Sequence, residues 1–275
     1  MPNRSRTLAA LVAPTFMLLA RPVAAQAIEG AAPAATTATT APVARRSVAD
    51  LTPRLVAWYG TPFVAEREAP HGAGKVVDGV DLAPKGARSA TRRFQLFDRV
   101  IVTSPTGTRA AVGDSLLLVR RGPALGAGQV LLPTGIAVVD GVAGGLRTAR
   151  LIRAYDVVAA EQAVLPLPAV PAVDSTARSG EVRAATVAWI AGDAELPTLQ
   201  QTVVLAGGAT MTLREGDRFE LVGDGRRIPG GPTLPGTRAA VVRVVRVTPW
   251  GASARIESQQ QPAITVGMAA RELPR

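Results

Sequence analysis

Two ten-residue stretches 103 residues apart constrain the fold of this chain more than any other feature of its sequence. GDSLLLVRRG spans residues 113–122, and GDRFELVGDG spans residues 216–225. Each begins with Gly-Asp, continues with an apolar run and ends at a glycine with arginines nearby. Other matches lie on both sides in the same order, and their offset drifts from 103 to 106, as short loop insertions would make it. Such self-similarity indicates two copies of one domain.

The matched segments carry the apolar runs of the two copies. They are RVIV at 99–102 with TVVL at 202–205, AVVDGV at 137–142 with AVVRVV at 240–245, ARLIRA at 149–154 with ARIESQ at 254–259, and EQAVLPLP at 161–168 with GMAARELP at 267–274. Gly74, which opens GKVVDGV, is matched with Gly180. We therefore assign the first copy to residues 71–168, a linker to 169–178 and the second copy to 179–275.

Each copy consists of short β-branched runs bounded by Gly, Pro, Asp and Ser, the pattern of strands separated by turns. The 27 Gly and 22 Pro also disfavour long helices. With 47% hydrophobic but only 4% aromatic residues, the core must be built from Val, Leu and Ala. About five strands in ~95 residues predict a small barrel or sandwich. The predicted fold is therefore all-β, with two duplicated antiparallel β-barrel or sandwich domains after a signal peptide and a flexible linker.

The repeated Gly-Asp pair has a structural explanation. Glycine accepts a positive φ without steric cost, and aspartate accepts hydrogen bonds from nearby backbone amides, so the pair favours a tight turn. We expect Asp114 and Asp217 to be turn residues. In the second copy Arg243 and Arg246 are three residues apart, which breaks strict strand alternation. A β-bulge or a change of the exposed face would absorb this break.

The N-terminal segment has the pattern of a secretory signal peptide. Two arginines precede an apolar stretch from Leu8 to Ala20, and small residues end the segment at Ala25 and Ala27. We expect residues 1–27 to be this signal and the protein to be exported, to the periplasm in a two-membrane bacterium. Residues 28–46 are mainly Ala, Thr and Pro, which predicts a disordered linker. We expect no transmembrane segment in the mature chain, because no later apolar run reaches about 18 residues.

Residues 47–70 are predicted to form a short helix or turn segment that docks onto the β-domains. Ser47 is a candidate N-cap, and Pro53 lies too far along the segment to support a helix that starts there. Apolar residues at helical spacing include Trp58 and Tyr59. These two side chains either pack against the body of the protein or line a binding site.

Four arginines are candidate binding residues: Arg120 and Arg121 in the first copy, and Arg226 and Arg227 in a long Gly- and Pro-rich loop that we interpret as a hairpin insertion. The single histidine, His71, lacks the G-x-S-x-G motif or the further ligands that a triad or a metal site needs. The nearby GAGK run lacks the P-loop spacing and predicts a turn before a strand. The chain also has no cysteine. We therefore expect no catalytic, metal-binding or cofactor-binding residues, and no enzymatic activity.

The net charge is +10, from 29 arginines and two lysines, and it is +7 without the first 27 residues. A basic surface attracts anionic partners, although the arginines are scattered and a GC-rich genome also explains their number. Binding of single-stranded nucleic acid needs aromatic stacking platforms between the cations. The second copy has only three aromatic residues, Trp189, Phe219 and Trp250, so no nucleic-acid partner is expected.

Several segments resemble the β-rich region that follows LysM modules in exported bacterial proteins, most of all the versions in Gemmatimonadota. They lie at 93–102, 112–122, 128–139 and 149–156 in the first copy and at 244–271 in the second. The Gly-Asp turn with its strand has a weaker resemblance to the C-terminal β-domain of the flagellar assembly protein FlgT. The resemblance covers about residues 70–275 and implies a non-enzymatic envelope protein that works near peptidoglycan. Residues 28–70 contain no LysM module, so no carbohydrate-contacting residue can be assigned.

The predicted function is that of a non-enzymatic, exported cell-envelope protein that binds or scaffolds at peptidoglycan or with an envelope protein complex. A flagellar or secretion-apparatus accessory protein is the alternative, and a cell-wall hydrolase is a less favoured one. A hydrolase would need a carboxylate pair or a Ser/His site, and Glu161 is matched by Gly267 in the second copy.

Overall fold

The computed structural model of the protein describes residues 52–80, 92–171, 184–193, 196–206, 213–223, 225, 228–232 and 234–274. The expected signal peptide and N-terminal linker lie outside these residues, as do Arg226, Arg227 and most of the linker at 169–178. Among the described residues, no helix is both long enough and apolar enough to cross a membrane.

The described residues form fifteen β-strands and a single α-helix, which confirms the all-β class. In chain order the elements are α1 (Pro53–Gly60), β1 (Phe63–Glu66), β2 (Gly74–Gly79), β3 (Arg93–Phe94), β4 (Arg99–Thr103), β5 (Ser115–Leu125), β6 (Gly128–Ala143), β7 (Leu146–Ala154), β8 (Val158–Ala159), β9 (Ala163–Pro166), β10 (Ala184–Ile190), a 3-10 turn (Ala191–Asp193), β11 (Thr202–Ala206), β12 (Arg218–Val222), β13 (Arg238–Thr248), β14 (Gly251–Gln259) and β15 (Ala269–Glu272). The long Gly- and Pro-rich loop joins β12 to β13, as the hairpin interpretation predicts.

Both copies fold into closed, six-stranded antiparallel barrels with the same strand order. The first ring is β2-β4-β7-β6-β5-β9, closed by the pairing of β9 with β2. The second ring is β10-β11-β14-β13-β12-β15, closed by the pairing of β15 with β10. Each strand of the first ring has a counterpart at the same place in the second, which confirms the duplication. Each barrel has one strand more than the five or so that the sequence patterns indicate.

The Gly-Asp turns of the two copies form equivalent hydrogen bonds. Gly113 and Gly216 both have a φ of 92°, a conformation that favours glycine. The Oδ2 atoms of Asp114 and Asp217 each accept a hydrogen bond from the backbone amide three residues earlier, at 2.7 and 2.8 Å. The two carboxylates therefore close their own turns, as the sequence predicts.

The hydrogen bonds of the two turn glycines correct the sequence alignment of β6 with β13. The amide of the turn glycine donates to the carbonyl of Val139 in the first barrel and of Val244 in the second, at 2.8 Å in both. These two valines are therefore equivalent, and Gly141 is equivalent to Arg246. The match of AVVDGV with AVVRVV is wrong by two residues. The predicted bulge in β13 is present, between Val244 and Arg246.

The first strands of the copies also align differently from the sequence match. The carbonyls of Val76 and Val187 accept equivalent hydrogen bonds, at 2.8 and 2.7 Å, from the residues that begin the EQAVLPLP and GMAARELP segments. Gly74 is therefore equivalent to Ala185 in β10, not to Gly180. Gly180 itself lies outside the described residues.

Each barrel interior is filled mainly by Val, Leu, Ile and Ala side chains, as the low aromatic content requires. Phe219 is fully buried in the second barrel, and Phe94 is buried in the first. Phe94 comes from the two-stranded sheet of β3 and β8, which pairs it with Val158 in the same core. Fully buried aliphatic side chains stabilise a barrel by roughly 1.5–3 kcal/mol each, so these clusters dominate the stability of both copies.

Residues 52–66, which we call the junction segment, contain α1 and β1. The helix begins at Pro53, with Thr52 as its N-cap residue, so the expectation that Pro53 lies too far along the helix was wrong. Proline suits the first helical turn because its missing N–H would have no intrahelical acceptor there. The candidate N-cap Ser47 lies outside the described residues.

The junction segment packs on the outer face of the first barrel. Strand β1 pairs with β6 and extends the sheet beyond the closed ring. Trp58, Tyr59 and Phe63 are buried there against outward-facing side chains of β5 and β6. Leu117 and Val119 belong to this outer cluster, and their neighbours in β5 face the barrel interior. The two aromatic residues noted in the sequence are therefore core residues of this second cluster.

Candidate functional site

An arginine of the second barrel is inserted between two aromatic rings of the junction segment. The Cζ atom of Arg246 lies 4.0 Å from the centre of the Trp58 ring and 3.5 Å from that of Phe63. The residue is only 6% exposed, so these cation–π contacts are shielded from water. Because the junction segment also pairs with the first barrel, Arg246 joins the two copies.

Glu215 completes this junction. Its Oε1 atom accepts a 2.5 Å hydrogen bond from Trp58 Nε1, and its Oε2 atom accepts one of 3.0 Å from Arg54 Nη2. Burial lowers the pKa of Arg246 to about 9, and the negative charge of Glu215 opposes this shift, so the guanidinium stays charged at neutral pH. Among the described residues, the Nη1 atom of Arg246 has no hydrogen-bond partner.

Three adjoining cavities follow α1 from Arg54 to its last residue, Gly60, and we call them the junction groove. The first has a volume of about 460 Å³ and shares Ala57 and Arg255 with the second, which is also about 460 Å³. The second shares Gly60 and Tyr155 with the third, of about 400 Å³. Both barrels contribute to the groove, because Tyr155 follows β7 and Arg255 lies in β14.

Three buried polar atoms, two of them in residues that line the second cavity, lack hydrogen-bond partners among the described residues. They are the Tyr155 hydroxyl and the Nε atoms of Arg153 and Arg255, none of which has a hydrogen-bond partner in the described part of the chain. Tyr155 and Arg255 both line the second cavity, and Arg153 is close enough to Tyr155 to affect its titration. Buried polar groups are nearly always hydrogen-bonded, and these three atoms are shielded from solvent, so they are unsatisfied donors of the packed interior.

The acidic side chains of the groove, in contrast, are paired. Glu257 forms ion pairs of 2.9 Å with Arg218 and 3.6 Å with Arg243. Asp156, in the third cavity, forms one of 3.4 Å with Arg120. Arg255 is the only charged residue that lines the second cavity and has no ion pair among the described residues, so its charge favours an anionic ligand there.

Tyr155 is held against the helix by a glycine. A Cβ atom on Gly60 would lie 2.7 Å from the Tyr155 ring, so only glycine allows this close contact. Burial raises the pKa of Tyr155 to about 12, and the nearby Arg153 partly opposes the rise. The phenol is therefore neutral at physiological pH.

Of the four candidate arginines predicted from the sequence, the structure describes two, and these two line the same cavity. Arg120 and Arg121 line a separate cavity of about 580 Å³ at the first barrel, and Arg120 also reaches the third cavity of the junction groove. Arg121 Nη2 donates a 2.9 Å hydrogen bond to the carbonyl of Glu68. Arg226 and Arg227 lie outside the described residues, so their binding role stays a prediction.

His71 is exposed in a turn before β2, with Nε2 3.2 Å from the carbonyl oxygen of Arg67. The GAGK run is the turn that leads into this strand, as predicted. The described residues contain no group of three or more His, Asp or Glu side chains placed to hold a metal ion. The absence of enzymatic activity stays a prediction.

Sequence reasoning singled out Trp58 and Arg120, which line the junction groove, but missed Tyr155 and Arg255. It noted Arg246 only through its break in strand alternation, which indicated a bulge rather than a contact between barrels. Tyr155 and Arg255 belong to different copies and carry no shared motif. No protein-family model matches this chain, and no curated protein matches it. The resemblance to LysM-associated β-regions and to FlgT therefore stays a prediction.

Replacing Tyr155 with phenylalanine tests its unpaired hydroxyl. We expect the free energy of unfolding at pH 7 to stay the same or to rise by up to about 1 kcal/mol, because no hydrogen bond is lost. In the wild type, the contribution of the neutral phenol is complete below pH 10 and is lost as the pH rises through about 12. The advantage of Y155F should therefore grow over that interval, as measured by denaturant unfolding at several pH values.

The chain offers a matched control in its other tyrosine. The hydroxyl of Tyr59 donates a 3.0 Å hydrogen bond to the carbonyl of Pro168. Y59F should therefore cost about 1 kcal/mol at pH 7. A Tyr155 variant that is less stable than the Tyr59 variant would show that the Tyr155 hydroxyl has a partner.

Proposed function

We propose that the protein is an exported, non-enzymatic component of the bacterial cell envelope that binds at peptidoglycan or scaffolds an envelope protein complex. The observation that carries this proposal is the junction groove, which both barrels line and in which Arg255 is the only charged lining residue without an ion pair among the described residues. Such an arrangement suits the retention of an anionic ligand rather than its conversion. Within the described part of the chain, Arg255 has no ion pair, whereas each acidic side chain that lines the groove is engaged in one.

The N-terminal export signal and the net charge support a role in the cell envelope. The first 27 residues have the basic start, the apolar centre and the small C-terminal residues of an export signal. The chain that follows has a charge of +7 and no cysteine. Peptidoglycan is an anionic polymer, so a basic exported protein meets it with favourable long-range electrostatics. The resemblance to LysM-associated regions supports the same location.

Co-sedimentation with purified peptidoglycan sacculi tests this proposal. The exported form of the chain is mixed with sacculi at about 10 mM and at about 1 M salt, where the Debye lengths are about 30 and 3 Å. We expect pelleting at both salt concentrations, because contacts inside a groove are screened much less than exposed charges.

The other outcomes separate the alternatives. Pelleting at low salt alone would mean that the positively charged protein binds the anionic wall through non-specific electrostatic attraction. That result would contradict specific binding. No pelleting at either concentration would exclude the wall as the binding partner. Cross-linking in cells would then show whether the partner belongs to an envelope complex or to a flagellar or secretion apparatus.

A further inference from the structure

Three arginines lie side by side across neighbouring strands on the outer face of the second barrel. Arg218 in β12 is opposite Arg243 in β13, and Arg243 is opposite Arg255 in β14. We call these three residues the arginine row, which spans roughly 10 Å at the usual strand spacing of about 4.8 Å. Residues directly opposite each other point to the same face of a sheet. Their chain neighbours, such as Phe219 and Ala254, are buried in the barrel core, so the row faces outward.

The arginine row carries more positive charge than its acidic neighbour neutralises. Like charges directly opposite each other destabilise a sheet. Glu257 supplies one carboxylate, with ion pairs of 2.9 Å to Arg218 and 3.6 Å to Arg243, while Arg255 has no ion pair within the described residues. Three arginines and one glutamate leave a charge of +2. An anion with two negative charges would therefore neutralise the row and remove its repulsion.

The arginine row borders the first cavity of the junction groove. Arg243, Arg255 and Glu257 line this cavity, whose volume is about 460 Å³. The side chain of Arg243 is 58% exposed, so its guanidinium is accessible to a ligand, and Arg255 is partly exposed. The partly exposed Ala57 and Val245 add apolar lining. A cavity with apolar lining and a few charged groups suits a small organic anion.

We infer that the arginine row binds the phosphate group of a phosphomonoester, with Arg243 as the accessible donor and Arg218 and Arg255 as neighbouring charges. This inference rests on the proposed function for the view that the groove retains an anion, while the choice of phosphate rests on the row alone. A phosphomonoester carries a charge of about −1.5 to −2 at pH 7 and three acceptor oxygens, so it neutralises the row. A carboxylate has a single charge and leaves the row positive. Arginine presents its donors in a planar fork that matches phosphate oxygens.

Titration with phenyl phosphate tests the inference, and benzoate is the comparison. Both probes have one aromatic ring, and they differ in the charge and the number of oxygens of the anionic group. Binding to the exported form of the chain is measured by calorimetry. We expect phenyl phosphate to bind about tenfold more tightly than benzoate, because the doubly charged group accepts more charge-assisted hydrogen bonds. R243Q should weaken the binding of phenyl phosphate about tenfold.

Two further variants separate the arginine row from the net charge. E257Q removes the carboxylate that competes for Arg218 and Arg243, so it should tighten the binding of phenyl phosphate several-fold. R238Q removes an arginine of the same strand as Arg243 that pairs with Glu220 at 2.9 Å outside the groove, and it should leave binding unchanged. Because Arg243 is exposed, R243Q should unfold at the same denaturant concentration as the wild type, so weaker binding would not reflect misfolding.

Three results would overturn the inference. The first is equal binding of phenyl phosphate and benzoate by the wild type. The second is unchanged binding of phenyl phosphate by R243Q. The third is a loss of binding in R238Q as large as that in R243Q, because the net charge of the protein would then account for the binding.

Vesicles of phosphatidylcholine and phosphatidic acid distinguish two sources of the phosphate, since phosphatidic acid is a phosphomonoester lipid. Pelleting with these vesicles that is lost in R243Q would assign the phosphate to a membrane lipid. Binding of phenyl phosphate without such pelleting would assign it to a soluble ester.

Co-sedimentation with sacculi separates this inference from the proposed function. If the wild type pellets with sacculi at high salt but does not bind phenyl phosphate, the phosphate inference fails alone. If it binds phenyl phosphate and does not pellet with sacculi, the inference is supported and the wall is excluded as the partner.

Discussion

Replacing Arg246 with alanine is expected to lower the free energy of unfolding by about 3 kcal/mol. The guanidinium is in contact with the rings of both Trp58 and Phe63 and is 94% shielded from solvent, as its 6% exposure shows. Alanine removes both cation–π contacts and leaves a cavity where the long side chain lies between the barrels. Burial of the unpaired Nη1 atom offsets part of this contribution, which keeps the loss near 3 kcal/mol rather than higher. Guanidinium chloride unfolding followed by tryptophan fluorescence measures it.

Two comparison variants separate charge from volume. R243A removes an exposed arginine of the same strand, whose ion pair with Glu257 is 3.6 Å long, and should change stability by less than about 0.5 kcal/mol. R246M keeps most of the volume without the charge. If R246M is as stable as the wild type, packing alone holds the junction. If R246A matches R243A, Arg246 does not join the barrels.

The turns and strands of this fold could be predicted because their causes are local. Gly113 and Gly216 need a positive φ, and Asp114 and Asp217 close the turn through an amide three residues away. Each cause lies within four residues, so it appears in the sequence wherever the turn is repeated. The order of such turns was enough to predict two copies of one antiparallel β-domain.

The register between the copies could not be predicted from residue similarity. AVVDGV and AVVRVV look alike, but the hydrogen bonds of the turn glycines make Val139 equivalent to Val244, an offset of 105 that is two more than the offset of the Gly-Asp turns. Matching by residue similarity therefore failed to show that Gly141 of the first copy is equivalent to Arg246 of the second. Similarly, Glu215 stands before its Gly-Asp turn where the first copy has Val112. Both of these differences lie where the second copy contacts the junction segment.

The junction groove could not be predicted because its lining residues are far apart in the chain. Tyr155 follows the seventh strand, Arg255 lies in the fourteenth, and helix α1 near residue 56 completes the lining. These elements meet only after both barrels have formed and the junction segment has docked. The sequence shows an ordinary strand arginine and a tyrosine after a strand, and neither has a pattern that indicates an unpaired group.

Replacing Gly74 with alanine is expected to lower the free energy of unfolding by about 4 kcal/mol. A Cβ atom at this position would lie 2.0 Å from the carbonyl oxygen of Thr103, at the end of β4. That oxygen belongs to backbone and cannot rotate away like a side chain. The adjoining residues are also fixed, since the Lys75 amide donates to Thr103 Oγ1 at 2.8 Å and the Thr106 amide donates to the Gly72 carbonyl at 2.6 Å. Thermal and denaturant unfolding of G74A measure the loss.

The second copy supplies the control at the equivalent position, where Ala185 already carries a Cβ atom in a buried site. A185G removes one buried methyl group and adds backbone freedom, so it should cost only about 1 kcal/mol. G74A and A185G thus exchange the same two residue types in opposite directions at equivalent positions. We expect G74A to lower the free energy of unfolding more than A185G does. If G74A is no more costly than A185G, then β2 and β4 of the first barrel lie as far apart here as β10 and β11 do in the second. The backbones of the two barrels would then be alike at this position, and the close contact between Gly74 and Thr103 would be disproved.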